Sequence, residues 1–142
     1  MMKTNKPIVL LDTNVFLVTL SPYSKYAPIF DALIEGKFIL VISNEILSEY
    51  AEIIGQRYDK ETVNDIFNLL IHLENVIKQE VYFNWHFIET DKDDNKFVDC
   101  AIAVRADFLV TNDRHFNIFD KNHFPFINVV KADDFLEFIN EL

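Results

Sequence analysis

Short runs of consecutive apolar residues alternate along the chain with stretches whose apolar residues recur every three or four positions. The clearest runs cover residues 8–11, 38–42 and 108–110, and each one ends at a group of polar residues. Such runs are typical of strands that are buried on both faces of a parallel sheet. Weaker runs at residues 86–88 and 126–130 are further strand candidates.

Amphipathic helical patterns separate these predicted strands. Gly36 is expected to end the first helix, and Ser43 or Asn44 to begin the second. Asp94 or Asn95 is expected to begin the fourth. Strands that alternate with helices predict an α/β sandwich built on a mainly parallel sheet of four to five strands. The apolar positions of the five predicted helices fall at residues 26–34, 47–54, 63–71, 97–102 and 135–142.

The composition is that of one folded domain spanning residues 1–142. Half of the residues are hydrophobic, and 2 Gly and 4 Pro are too few for a disordered or repetitive chain. So few glycines also exclude glycine-rich phosphate loops. No apolar run reaches the roughly 18 residues of a membrane span. Cys100 is the only cysteine, so no internal disulfide can form, and we expect a cytoplasmic protein with no membrane contact.

The charge bears on possible partners. The chain has 13 Lys+Arg and 23 Asp+Glu, which gives a formal net charge of −10. Proteins that bind nucleic acids tightly usually present a basic surface, so this charge disfavours extended binding to a phosphate backbone. A bound divalent metal would neutralise a local cluster of carboxylates. Metal-dependent phosphodiester chemistry therefore stays open.

Acidic residues stand at the ends of predicted strands and near the starts of the adjoining helices. Asp12 follows the first strand, and Asp113 follows the strand at 108–110. In an open parallel sheet the ligand site lies at the carboxyl ends of the strands where the strand order reverses. These two carboxylates would meet if their strands flank that point. Asp94 begins the helix that leads into 108–110, and Glu49 lies in the helix after the second strand, so four carboxylates could converge.

Each acid also has an ordinary structural interpretation. Asp12 and Asp113 could simply end a strand or begin a short helix. Asp94 could lie in a solvated loop, and Glu49 on a solvated helix face. What favours a site is their common position at one end of the sheet. Asp99 lies about 140° around the helix from Asp94 and is a second-tier candidate.

Converging carboxylates require a cation, because like charges raise one another's pKa. Mg²⁺ or Mn²⁺ is the expected occupant, since both prefer oxygen ligands. Such an ion polarises a phosphoryl oxygen and activates a bound water. The four histidines have no spacing typical of a zinc site. His115 could reach the acids from its place after Asp113, although an exposed surface histidine is the commoner interpretation.

Three segments of the sequence carry a family resemblance. They are VLLDTNVF at 9–16, ISNEILSEYAEII at 42–54 and DDNKFVDCAIAVRADFLVTNDRHF at 93–116. In order and content they resemble the PIN-domain family of metal-dependent ribonucleases, and in particular the VapC-like toxin components of bacterial toxin–antitoxin pairs. The resemblance implies a three-layer sandwich with helices on both faces of the sheet. It also implies a homodimer that is silenced by a cognate antitoxin protein.

The resemblance further assigns roles to individual residues. Asp99 stands where related chains often carry an acid, and its role stays open. Residues 74–90 match nothing in the family. The four acids correspond to the family's catalytic metal ligands, and three polar residues accompany the first and the last of them: Asp12, Glu49, Asp94 and Asp113 as ligands, with Asn14, Thr111 and Asn112 beside them.

The function that follows is metal-dependent hydrolysis of RNA phosphodiester bonds, with Lys96 and Arg114 as candidates for phosphate contacts. The negative charge favours short single-stranded segments, such as RNA loops, as substrate. A phosphatase of small phosphate esters is an alternative, although Asn14 stands where phosphoryl-aspartate hydrolases have a second Asp. A non-catalytic module whose acidic pocket binds a basic partner is another. Metal binding distinguishes that module from the enzyme.

Overall fold

The computed structural model describes residues 6–88, 94–119 and 127–142. Within these ranges the chain forms five strands and six α-helices, with a 3₁₀ helix after the fourth strand. The strands are β1 (Ile8–Leu11), β2 (Ile39–Ile42), β3 (Val76–Lys78), β4 (Phe108–Val110) and β5 (Val129–Val130). The helices are α1 (Thr13–Thr19), α2 (Ala27–Ile34), α3 (Asn44–Arg57), α4 (Lys60–His72), α5 (Asn95–Val104) and α6 (Ala132–Asn140), and the 3₁₀ helix is Arg114–Ile118.

All five strands are parallel and lie in the order β3-β2-β1-β4-β5. Sheet and helices form the three-layer α/β sandwich that the sequence predicts. From β1 the chain adds β2 and β3 on one side, and then crosses to add β4 and β5 on the other. The strand order therefore reverses between β1 and β4, and the carboxyl ends of these two strands flank the ligand position expected for such sheets.

Main-chain pairing and apolar burial hold the ends of β1 and β4 side by side. Leu10 pairs with Leu109, and Leu11 with Val110. All four side chains are at most 1% exposed, so a slip by one residue would turn them toward the opposite face of the sheet. Beyond the strand, the backbone N–H of Asp12 donates to the carbonyl of Val110 at 2.9 Å. The position of Asp12 is thus fixed by the register of the sheet.

Tyr50 attaches α3 to β1 and thereby positions the neighbouring Glu49. Its ring is fully buried and stacks on Phe16 of α1 with the ring centroids 4.4 Å apart. Its hydroxyl donates to the carbonyl of Leu11, so a buried phenol finds the partner that it needs. Ser43 begins the helix as predicted, because its Oγ accepts a backbone N–H of the first turn at 3.2 Å.

The five predicted helices are present, and α1 is an additional one that the apolar pattern does not reveal. Asp12 is the N-cap of α1. The side chains of Val15, Phe16 and Leu17 are all buried, so this helix has no broad polar face to give the sequence a helical period. Gly36 follows α2 with a φ of 77°, a backbone conformation that favours glycine.

The predicted strand at residues 86–88 is wrong. His86 has a φ of 57°, which is outside the extended region. Ile88 is buried, but its backbone N–H donates to Oδ1 of Asn95 and its carbonyl accepts from Nδ2 of Asn95, each at 2.8 Å. One side-chain amide therefore satisfies the backbone groups that a neighbouring strand would satisfy.

The outer strands of the sheet are short. β3 lies in the stretch from residue 74 onward that shows no clear sequence pattern. β5 covers only the last two residues of the predicted run at 126–130, and Phe126 lies outside the described residues. Among the helices of the described part of the chain, none is long and apolar enough to cross a membrane.

Candidate active site

Asp12 lies at the carboxyl end of β1, beside Glu49 and Asp113, and is only 6% exposed. Its Oδ1 accepts from the backbone N–H of Thr13 at 2.8 Å, and its Oδ2 accepts from the hydroxyl of Thr111 at 2.7 Å. Burial raises the pKa of Asp12, and the charges of Glu49 and Asp113 raise it further, against the two hydrogen bonds. A cation beside this carboxylate would favour its ionised form.

Thr111 links the first predicted acid to the last. Its buried hydroxyl donates to Asp12 and accepts from the backbone N–H of Asp113 at 3.0 Å. Asp113 is the N-cap of the 3₁₀ helix, because its Oδ1 accepts from the backbone N–H of His115 at 2.9 Å. One hydroxyl group thus sets the spacing between the acids that follow β1 and β4.

Asp94 and His115 form a compact group with Asp113. Asp94 is the N-cap residue of α5, yet its side chain does not hydrogen-bond to the backbone of that helix. Its Oδ2 lies 3.3 Å from Nδ1 of His115, and the same nitrogen lies 3.3 Å from Oδ1 of Asp113. One ligand atom from each of the three residues lies within 4.8 Å of the others. That spread is close to the coordination sphere of a single divalent ion.

Glu49 approaches Asp12 from the side of α3. Its Oε1 lies 2.9 Å from the ammonium group of Lys96, and its Oε2 accepts from the hydroxyl of Thr13. The side chain of Lys96 is only 11% exposed, so this ion pair is partly desolvated. Among the described residues, the group of mutually close ligand atoms contains neither Glu49 nor Asp12.

The four predicted acids therefore lie at one end of the sheet, in two adjoining groups. Asp113 belongs with Asp94 in the compact group and also acts on Asp12 through charge. Glu49 acts on Asp12 but is paired with Lys96. Asp113 is the member common to both groups, and the catalytic role of the four acids stays a prediction.

The polar residues predicted to accompany the acids differ in their surroundings. Thr111 bonds directly to Asp12, as described above. Asn112 bonds to another element: its Oδ1 accepts from the backbone N–H of Ala132 at 3.0 Å. This hydrogen bond connects the end of β4 to α6. Asn14 and Arg114 are exposed. Within the described residues, neither side chain makes a hydrogen bond or an ion pair, and a phosphate contact by Arg114 stays a prediction.

Asp99 belongs to a different part of the surface. Its side chain is 4% exposed, and its Oδ1 accepts from the backbone N–H of Trp85 at 2.9 Å. Burial raises the pKa of Asp99. It lines a cavity of about 260 Å³ that Lys96 separates from Glu49, and the other lining residues are 43–45, 80–82 and Asn84. Asp99 is not part of the compact group of ligand atoms among the described residues.

Two residues in contact with the acids are absent from the predicted set. Thr13 binds Glu49, and its only sequence signal is its place between Asp12 and Asn14. His115 is partly buried, with 38% of its side chain exposed. Its signal is its place two residues after Asp113, where a 3₁₀ turn brings its ring back over the acid.

The donor set fits a divalent metal ion. Asp94 and Asp113 offer carboxylate oxygens and His115 an imidazole nitrogen at suitable separations. Burial raises the pKa of Asp12, and the charges of Glu49 and Asp113 add to that effect, so a cation at this place would favour the ionised carboxylate. Mn²⁺ accepts both kinds of ligand, and Mg²⁺ accepts the carboxylates.

Comparison with known proteins identifies the family. The chain is a parallel α/β domain with carboxylates at the switch point of its sheet, where ligands bind in such folds. A family model described as PIN domain matches residues 8–115, which is most of the chain and includes all four acids. The chain belongs to the PIN domain family, as its sequence motifs indicate. No protein in a search of curated proteins matches it.

Several solved structures share the fold. A chain in the structure of VapBC2 from Rickettsia felis, bound to a DNA fragment from its promoter, is 20% identical with a TM-score of 0.60, covering 87% of this chain and 98% of that one. Mycobacterium tuberculosis VapC20, a toxin that cleaves the sarcin-ricin loop, is 14% identical with a TM-score of 0.57, covering 78% and 93%. The PIN domain endonuclease Utp24 is 19% identical with a TM-score of 0.53, covering 87% and 84%. At these identities the likeness establishes the fold.

Proposed function

We propose that the protein is a metal-dependent endoribonuclease and the toxin of a type II toxin–antitoxin pair. The observation that carries the proposal is the compact group of Asp94, Asp113 and His115 beside the buried Asp12, at the switch point of a PIN domain. The fold is shared with a toxin that cleaves the sarcin-ricin loop and with an endonuclease. Hydrolysis of an RNA phosphodiester is the chemistry that fits both.

In this proposal the four acids Asp12, Glu49, Asp94 and Asp113 would hold the metal ion. A bound Mg²⁺ or Mn²⁺ supplies a Lewis acid for a phosphoryl oxygen and lowers the pKa of a water. Thr111 keeps Asp12 oriented through its hydrogen bond. Lys96, now paired with Glu49, is placed to exchange part of that contact for a phosphate oxygen.

The proposed substrate is a short exposed single-stranded segment of RNA, such as a loop. The net charge of −10 disfavours a long run of backbone contacts. A loop needs few such contacts, because its bases can be bound individually.

The proposed partners follow from the same surface and from the structural neighbours. Structures of VapBC complexes are among the similar folds, and an acidic site on a chain of this charge suits a basic segment of an antitoxin. We also propose that the chain forms a homodimer, as expected of the family. Sedimentation of the purified protein and co-expression with the product of any adjacent small reading frame test these two points.

The decisive experiment is cleavage of labelled single-stranded RNA with Mn²⁺, Mg²⁺ or EDTA. Asp12→Asn and Asp94→Asn should each lower the rate by a factor of about 100 or more, since each removes a charge that acts on the reacting phosphate. Asp133→Asn is the matched control, because Asp133 lies on the surface and pairs with Lys25, and it should cleave normally. Cleavage that survives EDTA or both site variants would contradict the proposal.

The same experiment separates the alternatives. An acidic interaction module would bind a basic partner and leave RNA intact with every metal. A phosphatase would hydrolyse a small ester such as p-nitrophenyl phosphate faster than RNA. Either result would replace the ribonuclease assignment.

A further inference from the structure

We infer that His115 is a metal ligand through Nδ1, and that this nitrogen makes the site prefer Mn²⁺ and later first-row ions to Mg²⁺. The inference deepens the proposed function, because it rests on the metal site proposed there. It does not depend on RNA being the substrate. It adds one imidazole nitrogen to the carboxylate oxygens of the acidic site, among which those of Asp94 and Asp113 lie within reach of the same ion.

The first support is the distance between the ligand atoms. Nδ1 of His115 lies 3.3 Å from Oδ2 of Asp94 and 3.3 Å from Oδ1 of Asp113. Both separations are longer than an ordinary N–H···O hydrogen bond of about 2.7–3.2 Å. Neighbouring ligands at about 2.1 Å from one ion stand about 3 Å apart. The spacing therefore allows the imidazole nitrogen and the two carboxylate oxygens to share one cation.

The second support is the way in which the ring is held. The backbone N–H of His115 donates to Asp113 at 2.9 Å, so acid and imidazole are fixed in one turn of the 3₁₀ helix. Asp94 comes from the start of α5, and the clamp between Asn95 and Ile88 holds that end in place. Two separate elements thus present the three ligand atoms with little freedom.

The third support is the exposure of the ligand side chains to solvent. The side chain of Asp94 is 12% exposed, while those of Asp113 and His115 are 33% and 38% exposed. An ion can therefore reach the ligands from solvent on the side of the 3₁₀ helix. Water can fill the remaining positions of its coordination sphere, as a catalytic site requires.

The imidazole nitrogen of His115 determines which divalent ion the site binds most tightly. Mg²⁺ prefers oxygen and gains little from a nitrogen ligand. Mn²⁺ accepts oxygen and nitrogen, and Co²⁺ and Ni²⁺ bind such mixed sites more tightly still. Removing the nitrogen should therefore weaken binding of these three ions and leave Mg²⁺ binding nearly unchanged.

The test is metal binding by the purified protein, without a substrate. Mn²⁺ is titrated by electron paramagnetic resonance and Mg²⁺ by competition with it, for wild type, His115→Ala and Asp94→Asn. We expect His115→Ala to lower Mn²⁺ affinity by at least about tenfold, and Mg²⁺ affinity by less than about twofold. His72→Ala is the matched control, because His72 is exposed at the end of α4, and it should bind both ions as wild type does.

A spectroscopic readout makes the assignment direct. Pulsed electron paramagnetic resonance of bound Mn²⁺ should show the coupling of an imidazole ¹⁴N nucleus in wild type, which disappears in His115→Ala. Circular dichroism and thermal unfolding of each variant establish that it is folded. If the first variant is unfolded, His115→Gln serves in its place, since it keeps a polar side chain of similar length.

The outcomes separate this inference from the proposed function. Mn²⁺ binding that is lost in Asp94→Asn, but unchanged in His115→Ala and without ¹⁴N coupling, would overturn the role of His115 alone. Tighter binding of both ions in His115→Ala would also overturn it, because the histidine would then act as a resident cation that competes with metal. Failure of wild type to bind any divalent ion would overturn both the inference and the metal-dependent function.

Discussion

Thr111 shows how much of this site depends on a single hydroxyl group. It joins Asp12 to the backbone of Asp113, and it is only 2% exposed. Thr111 directly follows β4, so its position, and with it the contact between Asp12 and Asp113, is fixed by the sheet. Neither acid could be moved relative to the other without breaking a buried hydrogen bond.

Replacing Thr111 by Val keeps the shape of the side chain and removes the hydroxyl. The variant should lose about 1–3 kcal/mol of unfolding free energy, because the carboxylate of Asp12 and an N–H group both lose their partner. It should also bind Mn²⁺ less tightly. Thr111→Ser keeps the hydroxyl and should recover most of both losses in urea unfolding and metal titration. Equal behaviour of the two variants would show that the hydroxyl does not organise the site.

At the scale of elements, the side chain of Asn95 at the start of α5 makes the two backbone hydrogen bonds that a neighbouring strand would otherwise make to Ile88. Asn95 bonds to both backbone groups of Ile88 and directly follows Asp94 in the chain. The amide therefore secures the approach to the helix on which one of the acids stands. Ile88, which belongs to neither a helix nor a strand, is thereby tied to the residue that follows Asp94.

Asn95→Ala should lower the unfolding free energy by about 2 kcal/mol or more, since two buried backbone groups become unpaired. Amide exchange at Ile88 should accelerate, while the amides of β1 stay protected. Asn128→Ala is the matched control, because Asn128 makes one exposed bond to the carbonyl of Asp107 at 3.2 Å and should cost little. Unchanged exchange at Ile88 would contradict the role of the clamp.

The elements also show where sequence reasoning succeeds. Helices α2 to α6 each have one apolar face and one polar face, so their spacing predicts them. Helix α1 has no such contrast, because five of its seven residues are buried. The run at 86–88 is apolar because Ile88 is buried, but Asn95 supplies its hydrogen bonds. Burial and strand pairing usually coincide, and in this segment they do not.

At the scale of the whole molecule, the parallel topology explains why Asp12 and Asp113 could be expected to meet from their positions after β1 and β4. The carboxyl ends of β1 and β4 meet at the switch point whatever side chains they carry. The contacts of Thr13 and His115 depend instead on side-chain conformations across long sequence separations, and a pattern of apolar residues contains no such information.

The reactivity of the Cys100 thiol reports whether the core of the whole molecule opens to solvent. It is fully buried in the core, and burial raises the pKa of its thiol to about 12. Roughly one thiol in ten thousand is then ionised at pH 8, and reagents attack the thiolate. We expect no reaction with 5,5′-dithiobis(2-nitrobenzoic acid) in native protein at pH 8, and rapid reaction in urea. Fast modification of the native chain would show local opening of α5.

Because the acids are far apart in the sequence, the acidic site can form only late in the synthesis of the chain. Chains fold from the amino end as they leave the ribosome, and the β1–β2 pair can form early. The partner of β1 on its other side is β4, which is made only after three quarters of the polypeptide. A nascent or prematurely terminated chain that stops before residue 111 therefore lacks both the hydroxyl of Thr111 that orients Asp12 and the carboxylate of Asp113. The acidic site is therefore complete only after β4 and the residues that follow it have been made.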